Sequence, residues 1–215
     1  MPKPRSKKVR ALPNVFHIYC EGEKTEPYYI SRYIQDLDRT DRKRVIQIEP
    51  TKKNTPVQLV EEAIKRKNSA SCPAGDIFWV VFDRESVAKY SEELHDEAYD
   101  KAGAAGVQIA LSTVCFEQWI LLHFVASAAP YSSYDDLMKK SPLAREFKKA
   151  SKKDYEKGNV DTYAVLKPRI QSAREHAERM NAAVKAAAAH GRNRPHHLNP
   201  YTDLPALLDA IDSFQ

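Results

Sequence analysis

Four short apolar runs recur through the first half of the chain, near residues 15–20, 44–49, 77–82 and 107–111, with stretches of helical periodicity between them. The runs are rich in β-branched and aromatic residues and only weakly alternating, which suits strands buried on both faces. The intervening periodicity predicts a helix from Thr25 to about Leu37, with Thr25 as N-cap and Pro27 in the first turn. A second helix is predicted from Pro56 to Asn68 behind a Thr55 cap, and a third from Ser91 to Ala104, ended by the Gly103 and Gly106 bracket. This β-α-β-α-β-α-β order predicts a parallel sheet wrapped by helices over about residues 15–112.

The pattern then changes. Cys115 to Val125 is strongly apolar and reads as a helix. Shorter helices are expected in 133–157, broken by Pro142 and Gly158. A long helix fits Thr162 to Ala189, bent or restarted at Pro168. Past Gly191 comes a loop rich in Arg, Pro, His and Asn, then a final helix bearing Leu204, Leu207, Leu208 and Ile211, with Thr202 as its cap and Pro205 in its first turn. The expected organisation is a disordered basic tail (1–14), an α/β core (15–126) and a mainly helical C-terminal region packed on it (127–215).

Bulk properties narrow the class. The chain has 215 residues, of which 42% are hydrophobic, enough to build a real core. Thirty-four Lys and Arg stand against 29 Asp and Glu, a net charge of +5 that permits nucleic-acid binding without demanding it. Much of that excess sits in Lys3, Arg5, Lys7, Lys8 and Arg10. The basic start lacks the apolar run of a secretory signal, and no segment has the ~18 apolar residues of a membrane span. Three cysteines, odd in number and without metal-ligand spacing, read as thiols of a reducing cytoplasm.

The candidate chemistry lies at strand ends. Glu21 follows the first strand, and Asp83-Arg84-Glu85 follows the third. Ligands of open α/β sheets gather outside the carboxyl ends of the strands, so Glu21, Asp83 and Glu85 are expected on one edge. Hard carboxylates in such a group suit Mg²⁺, or equally Mn²⁺. In extended backbone, Asp83 and Glu85 share a side and reach one ion. Each motif also has a plain account: Glu21-Gly22-Glu23 as a solvated turn, the acid triplet as surface. Lys24-Thr25 lacks the glycines of a Walker loop, yet Thr25 opens a helix whose N-terminus attracts anions.

Within the apolar 115–125 stretch, Glu117 and His123 stand six apart and do not share a helical face cleanly. Glu117 is either a further metal ligand or base, or the polar edge of a core helix; His123 orients Glu117 or packs. Tyr155 and Lys157, beside a Lys-rich run, read as a solvated face or as a base-stacking and phosphate-binding pair. His190, Arg192, Arg194, His196 and His197 form a basic segment with poor zinc spacing, read as phosphate contact or surface. Asn199-Pro200-Tyr201-Thr202 reads as a loop and cap, with Asn199 a possible supporting residue.

Taken in order, Glu21-Gly22-Glu23-Lys24-Thr25-Glu26-Pro27, the Asp83 and Glu85 pair, Cys115-Phe116-Glu117-x-Trp119-x-Leu121-Leu122-His123-Phe124 and Asn199-Pro200-x-Thr202-Asp203-Leu204 resemble the RloB-like family of prokaryotic abortive-infection proteins. The resemblance runs from about residue 14 to the C-terminus. It implies a TOPRIM-like core, in which one Glu follows the first strand and an Asp-x-Asp a later one. Glu21 and Asp83 match; Glu85 stands where the second Asp is usual, with its arm one methylene longer. It also implies a companion ATPase of the ATP-binding cassette/OLD-like type.

The expected function is a Mg²⁺- or Mn²⁺-dependent nuclease of phage defence acting on DNA or RNA. Asp83 and Glu85 would hold the ion, Glu21 would complete the site or activate water, Lys24 would steady the phosphate, and Glu117 would serve a second ion. The alternative is a non-catalytic nucleic-acid- or nucleotide-binding regulatory subunit of a defence ATPase complex. Dimerisation is left open.

Overall fold

The computed structural model describes residues 13–38 and 45–214. Residues 1–12 of the expected tail, residues 39–44, which include Arg44 of the second expected strand, and Gln215 lie outside the described residues. The elements run in the order β1 (Val15–Cys20), α1 (Thr25–Asp38), β2 (Val45–Glu49), α2 (Pro56–Lys67), β3 (Ile77–Asp83), α3 (Glu92–Ala105) and β4 (Gln108–Thr113). Then follow α4 (Glu117–Leu122), α5 (Tyr134–Lys140), α6 (Leu143–Ser151), α7 (Thr162–Leu166), α8 (Ile170–Ala187), β5 (Tyr201–Thr202) and α9 (Leu204–Ser213).

The strands form one five-stranded sheet in the order β2-β1-β3-β4-β5, parallel except for β5. The fold is thus mixed α/β, a mostly parallel sheet flanked by helices with a helical C-terminal region.

Period-two alternation loads both faces of the sheet. Phe16, Ile18 and Cys20 of β1, with Trp79 and Val81 of β3, face a core shared with α1, α4, α7, α8 and α9. Tyr19, Phe78, Val80 and Phe82 face a second core under α2 and α3. Each helix supplies an apolar stripe: Tyr29, Ile30, Tyr33 and Ile34 from α1, Leu59, Val60 and Ala63 from α2.

The caps explain the boundaries. Thr55 accepts from the Gln58 N–H at 3.4 Å, and Ser91 from the Leu94 N–H at 3.3 Å. Gly106 ends α3 in the left-handed region at φ 64°, where a β-carbon is costly.

Several boundaries differ from expectation. Thr25 is the first residue of α1 rather than its cap; the Lys24 carbonyl accepts from the Tyr28 N–H at 2.9 Å. The 115–125 helix shortens to α4. The long helix breaks at Pro168 as expected, into α7, a 3₁₀ turn (Lys167–Arg169) and α8, but ends at Ala187 rather than Ala189.

Tyr201 and Thr202, expected as loop and cap, pair with Thr113 and Ser112. The Thr202 hydroxyl lies 2.8 Å from Ser112 Oγ and 3.3 Å from the Leu204 N–H, while Asp203 takes the N-cap position. The C-terminal region therefore adds an edge strand to the sheet as well as helices to its face.

Candidate functional site

The carboxyl ends of β1 and β3 open into a cleft of about 430 Å³, entered by the start of α1 and walled by the loop between α6 and α7. Glu21 and Asp83 are its floor. The strand pairing continues one step past β1, with the Glu21 N–H donating to Val81 O at 2.9 Å. That register lets Glu21 Oε2 accept from the Asp83 N–H at 3.2 Å. The Tyr90 hydroxyl lies 3.0 Å from Glu21 Oε1. Burial pushes the Glu21 carboxyl above its ordinary range, partly offset by these two donors.

Asp83 is 6% exposed. Burial drives its carboxyl well above the usual carboxylate range, and the charges of Glu26, Glu117 and Glu21 push it further. Lys157 pulls in the other direction. Glu26 lies one residue inside α1, where the helix start turns it back over the strand end. Its carboxylate occupies the space beside Gly22, so a β-carbon at Gly22 would overlap it. Burial, then the Glu117 and Glu21 charges, raise Glu26 to about 7.

Glu117, the first residue of α4, is fully buried. Its Oε1 accepts from the Tyr155 hydroxyl at 2.9 Å and lies 4.0 Å from Lys157 Nζ. Its Oε2 is buried with no hydrogen-bond partner. A carboxylate oxygen left this way costs several kcal/mol unless a cation, a proton or a bridging water satisfies it (roughly the penalty of an unpaired buried ion). Burial lowers the Lys157 ammonium, but Glu117, Asp83 and Glu26 outweigh that and hold it above its ordinary value.

The remaining expected residues fall in different places. Glu85 leaves the extended conformation at φ 56°, so the extended-backbone argument of the acid-x-acid reading does not hold for it, although it lines the same cleft as Asp83. It sits at the rim of the cleft, paired with Lys89 at 2.7 Å. Lys24 and Thr25 line the cleft. Tyr155 is engaged with Glu117 rather than displayed for stacking.

Arg192 and Arg194 turn away from the cleft onto α3. Arg192 pairs with Glu92 at 2.6 Å, and Arg194 with Asp96 at 2.6 Å and Asp100 at 2.8 Å. His123 packs: its Nδ1 meets Trp119 O at 3.0 Å and its Nε2 the Tyr29 hydroxyl at 3.1 Å. Burial lowers it to about 3, a neutral imidazole. Asn199 Nδ2 donates to Tyr131 O at 2.9 Å, tethering the loop before β5.

Sequence reasoning missed Glu26 and Tyr90 as members of the site. An acid in the first turn of a helix directly after a strand-end acid was a usable signal for Glu26. No pattern in the sequence ties Tyr90 to Glu21.

The cluster does not converge on one point. Among the described residues, the group of three His, Cys, Asp or Glu whose ligand atoms all lie within 4.8 Å of one another is Asp96, His196 and His197, outside this cleft. The carboxylates still fit Mg²⁺ or Mn²⁺, because such ions take one or two carboxylates directly and keep several waters. The unpartnered Glu117 Oε2, beside the raised Asp83 and Glu26, is compatible with a cation at this strand edge.

No helix among the described residues is long and apolar enough to cross a membrane. No curated protein and no solved structure matches the chain. The family model described as RloB-like protein matches residues 16–211. With nearly its whole length inside that match, the chain belongs to the RloB-like family.

Proposed function

We propose that this protein is a divalent-cation-dependent nuclease of anti-phage defence, hydrolysing DNA or RNA phosphodiesters in the cytoplasm. The observation that carries the reading is the acid group of the half-buried Glu21 with the buried Glu26, Asp83 and Glu117, a carboxylate oxygen of Glu117 being left without a partner. Asp83, Glu117 and Glu21 would hold Mg²⁺ or Mn²⁺. When bound, such an ion polarises a phosphoryl oxygen and acidifies water.

The chain's own residues supply the rest. Glu26, raised to about 7, is matched to accepting a proton near neutral pH. Tyr90 orients Glu21, and Tyr155 orients Glu117. Lys157 and Lys24, both lining the cleft, with the Lys24 stem packed beside Gly158, would offer positive charge to a phosphate and to the charge that develops on it. The start of α1 at Thr25 adds its N–H groups. The TOPRIM-like relationship and the companion ATPase of ATP-binding cassette/OLD-like type belong to the same proposal and rest on the family resemblance.

One observation favours the second reading, a non-catalytic regulatory subunit of a defence ATPase complex. Glu85, the expected partner of Asp83 on a metal, is turned to Lys89. Incubation with labelled tRNA, single-stranded DNA and plasmid, with Mg²⁺ or Mn²⁺, separates the two. Cation-dependent cleavage that falls by about 10² or more in Asp83→Asn and Glu117→Gln supports the nuclease. Tight binding without cleavage, with the companion ATPase present, supports the regulatory subunit.

A further inference from the structure

On the far side of β3 from the acid core, α3 and the 3₁₀ turn Pro195–His197 bring together Asp96, His196 and His197. One ligand atom from each lies within 4.8 Å of the others. Sequence spacing conceals this, because the third member comes from a helix a hundred residues upstream of the histidines. His196 is 3% exposed, and both of its ring nitrogens are buried without a hydrogen-bond partner, as is Nδ1 of His197. His196 Nε2 lies 3.3 Å from Asp96 Oδ1, yet not in hydrogen-bonding geometry.

A neutral imidazole carries one donor and one acceptor, and burying either unpaired costs about 1–3 kcal/mol. Packing alone gives these nitrogens no reason to be where they are. His196 stacks on His95 with centroids 5.6 Å apart and meets the Tyr99 ring at 5.4 Å, so its ring is fixed in place by aromatic neighbours. A cation would satisfy the acceptor nitrogens of both histidines at once.

We propose that Asp96, His196 and His197 form a Zn²⁺-type transition-metal site that fastens the 3₁₀ turn to α3. Two imidazoles and a carboxylate suit Zn²⁺ and its borderline neighbours, and do not suit Mg²⁺. A tetrahedral ion with bonds of about 2.0–2.1 Å spaces its ligand atoms roughly 3.3 Å apart. The three side chains reach that spacing by small rotations, because Asp96 and His197 are only partly buried. Arg194 forks over Asp96 and Asp100; with the ion in place it keeps Asp100.

An open cleft lined by Arg84, Glu92, Thr113, His197 and Asn199 gives the ion an entry path and leaves room for a water as fourth ligand. The site is separate from the acid cleft but mechanically joined to it. Arg84, between Asp83 and Glu85, donates from Nε to His196 O at 3.0 Å, and its own carbonyl meets His95 Nε2 at 3.1 Å. Fastening the turn therefore steadies the end of β3.

The test uses the full chain stripped with chelator. Co²⁺ is titrated and followed by its visible absorption, then displaced with Zn²⁺, in wild type, Asp96→Asn, His197→Ala, His190→Ala and Asp83→Asn. The expected result is one tightly held ion per chain, retained in His190→Ala and Asp83→Asn. Asp96→Asn and His197→Ala weaken it by more than the roughly 10–100-fold that loss of an outer-shell partner costs. Millimolar Mg²⁺ does not displace it. Imidazole ¹⁵N spectra of the wild type give a readout independent of variant folding: the His196 and His197 ring signals shift with one equivalent of Zn²⁺. Unchanged imidazole signals overturn the site, as does an ion lost in Asp83→Asn but kept in Asp96→Asn and His197→Ala.

Discussion

At Gly22 the chain leaves out a side chain so that another can enter. The Glu26 carboxylate fills the space a β-carbon would take. Since the obstructing atoms are the end of a flexible side chain, Gly22→Ala should fold, losing less than about 2 kcal/mol, while displacing Glu26. The expected outcome is at least a roughly tenfold drop in cation-dependent cleavage with an unchanged circular dichroism spectrum. Glu26 itself carries a pH signature. Its folded-state carboxyl is raised from 4.5 to about 7, so the folded state holds the proton more tightly than the unfolded chain. Its contribution to stability is complete below about pH 4.5 and is lost as the pH rises through about 7. Cation-free protein should therefore weaken between pH 5 and 8, by up to something on the order of 3 kcal/mol from this group. Glu26→Gln should reduce that slope, leaving the share of the raised Asp83 and Glu21, and unfold at higher urea than wild type at pH 8. Added Mg²⁺ should stabilise the wild type more at pH 8 than at pH 5, because the ion competes with the proton. Urea unfolding across that range checks each of these signs.

Among the elements, β5 depends most on help from outside the sheet. It pairs two residues with β4, too few for an edge strand to stand alone. Its solvent-side backbone is instead met by a side-chain amide: Asn181 of α8 donates from Nδ2 to Thr202 O at 2.8 Å and accepts the Thr202 N–H at 3.2 Å. Thr202 is fully buried, so removal of that amide leaves two backbone groups unpaired. Asn181→Ala is expected to cost about 2–4 kcal/mol, read from the midpoint of urea unfolding, and to raise hydrogen exchange at Thr202 before the rest of the sheet. A similar device closes α8 onto α9 and α1, where Arg174 reaches Asp209, Asp212 and the Tyr33 hydroxyl.

For the whole molecule, the larger core crosses the midpoint of the chain. Phe16 and Trp79 of the sheet share it with Leu166, Ala177, Leu207 and Phe214 of the C-terminal region. Lys157 lines an acid cleft whose floor comes from β1 and β3, and Tyr155 holds Glu117 behind it. The C-terminal region thus cannot leave without opening both core and cleft. Urea transitions followed by tryptophan fluorescence, which reports Trp79 and Trp119, should coincide with those followed by far-ultraviolet circular dichroism, to which the C-terminal helices contribute heavily. Separate midpoints would show that the two regions unfold independently.

Local pattern determined much of this. Mostly apolar runs specified β1, β3 and β4 because a strand covered on both faces buries nearly every position, His17 of β1 being paired with Glu49 and Asp76. Thr55, Ser91, Gly106 and Pro168 specified helix ends because capping and backbone restriction act over three or four residues. Glu21 and Asp83 could be placed on one edge because parallel strands deliver all their carboxyl ends to the same side. Tertiary structure decided the rest. It turned Glu85 out to Lys89 through a left-handed backbone that no neighbour in sequence requires, and brought Glu26 in over Gly22. It set Glu117 against Tyr155 and Lys157, turned Arg192 and Arg194 onto α3, and made a strand of Tyr201 and Thr202. These outcomes depend on energies between groups far apart in sequence, such as ion pairing across 98 residues for Arg194 and Asp96. Such terms have no periodicity along the chain, and they come into being only when the folded surfaces meet.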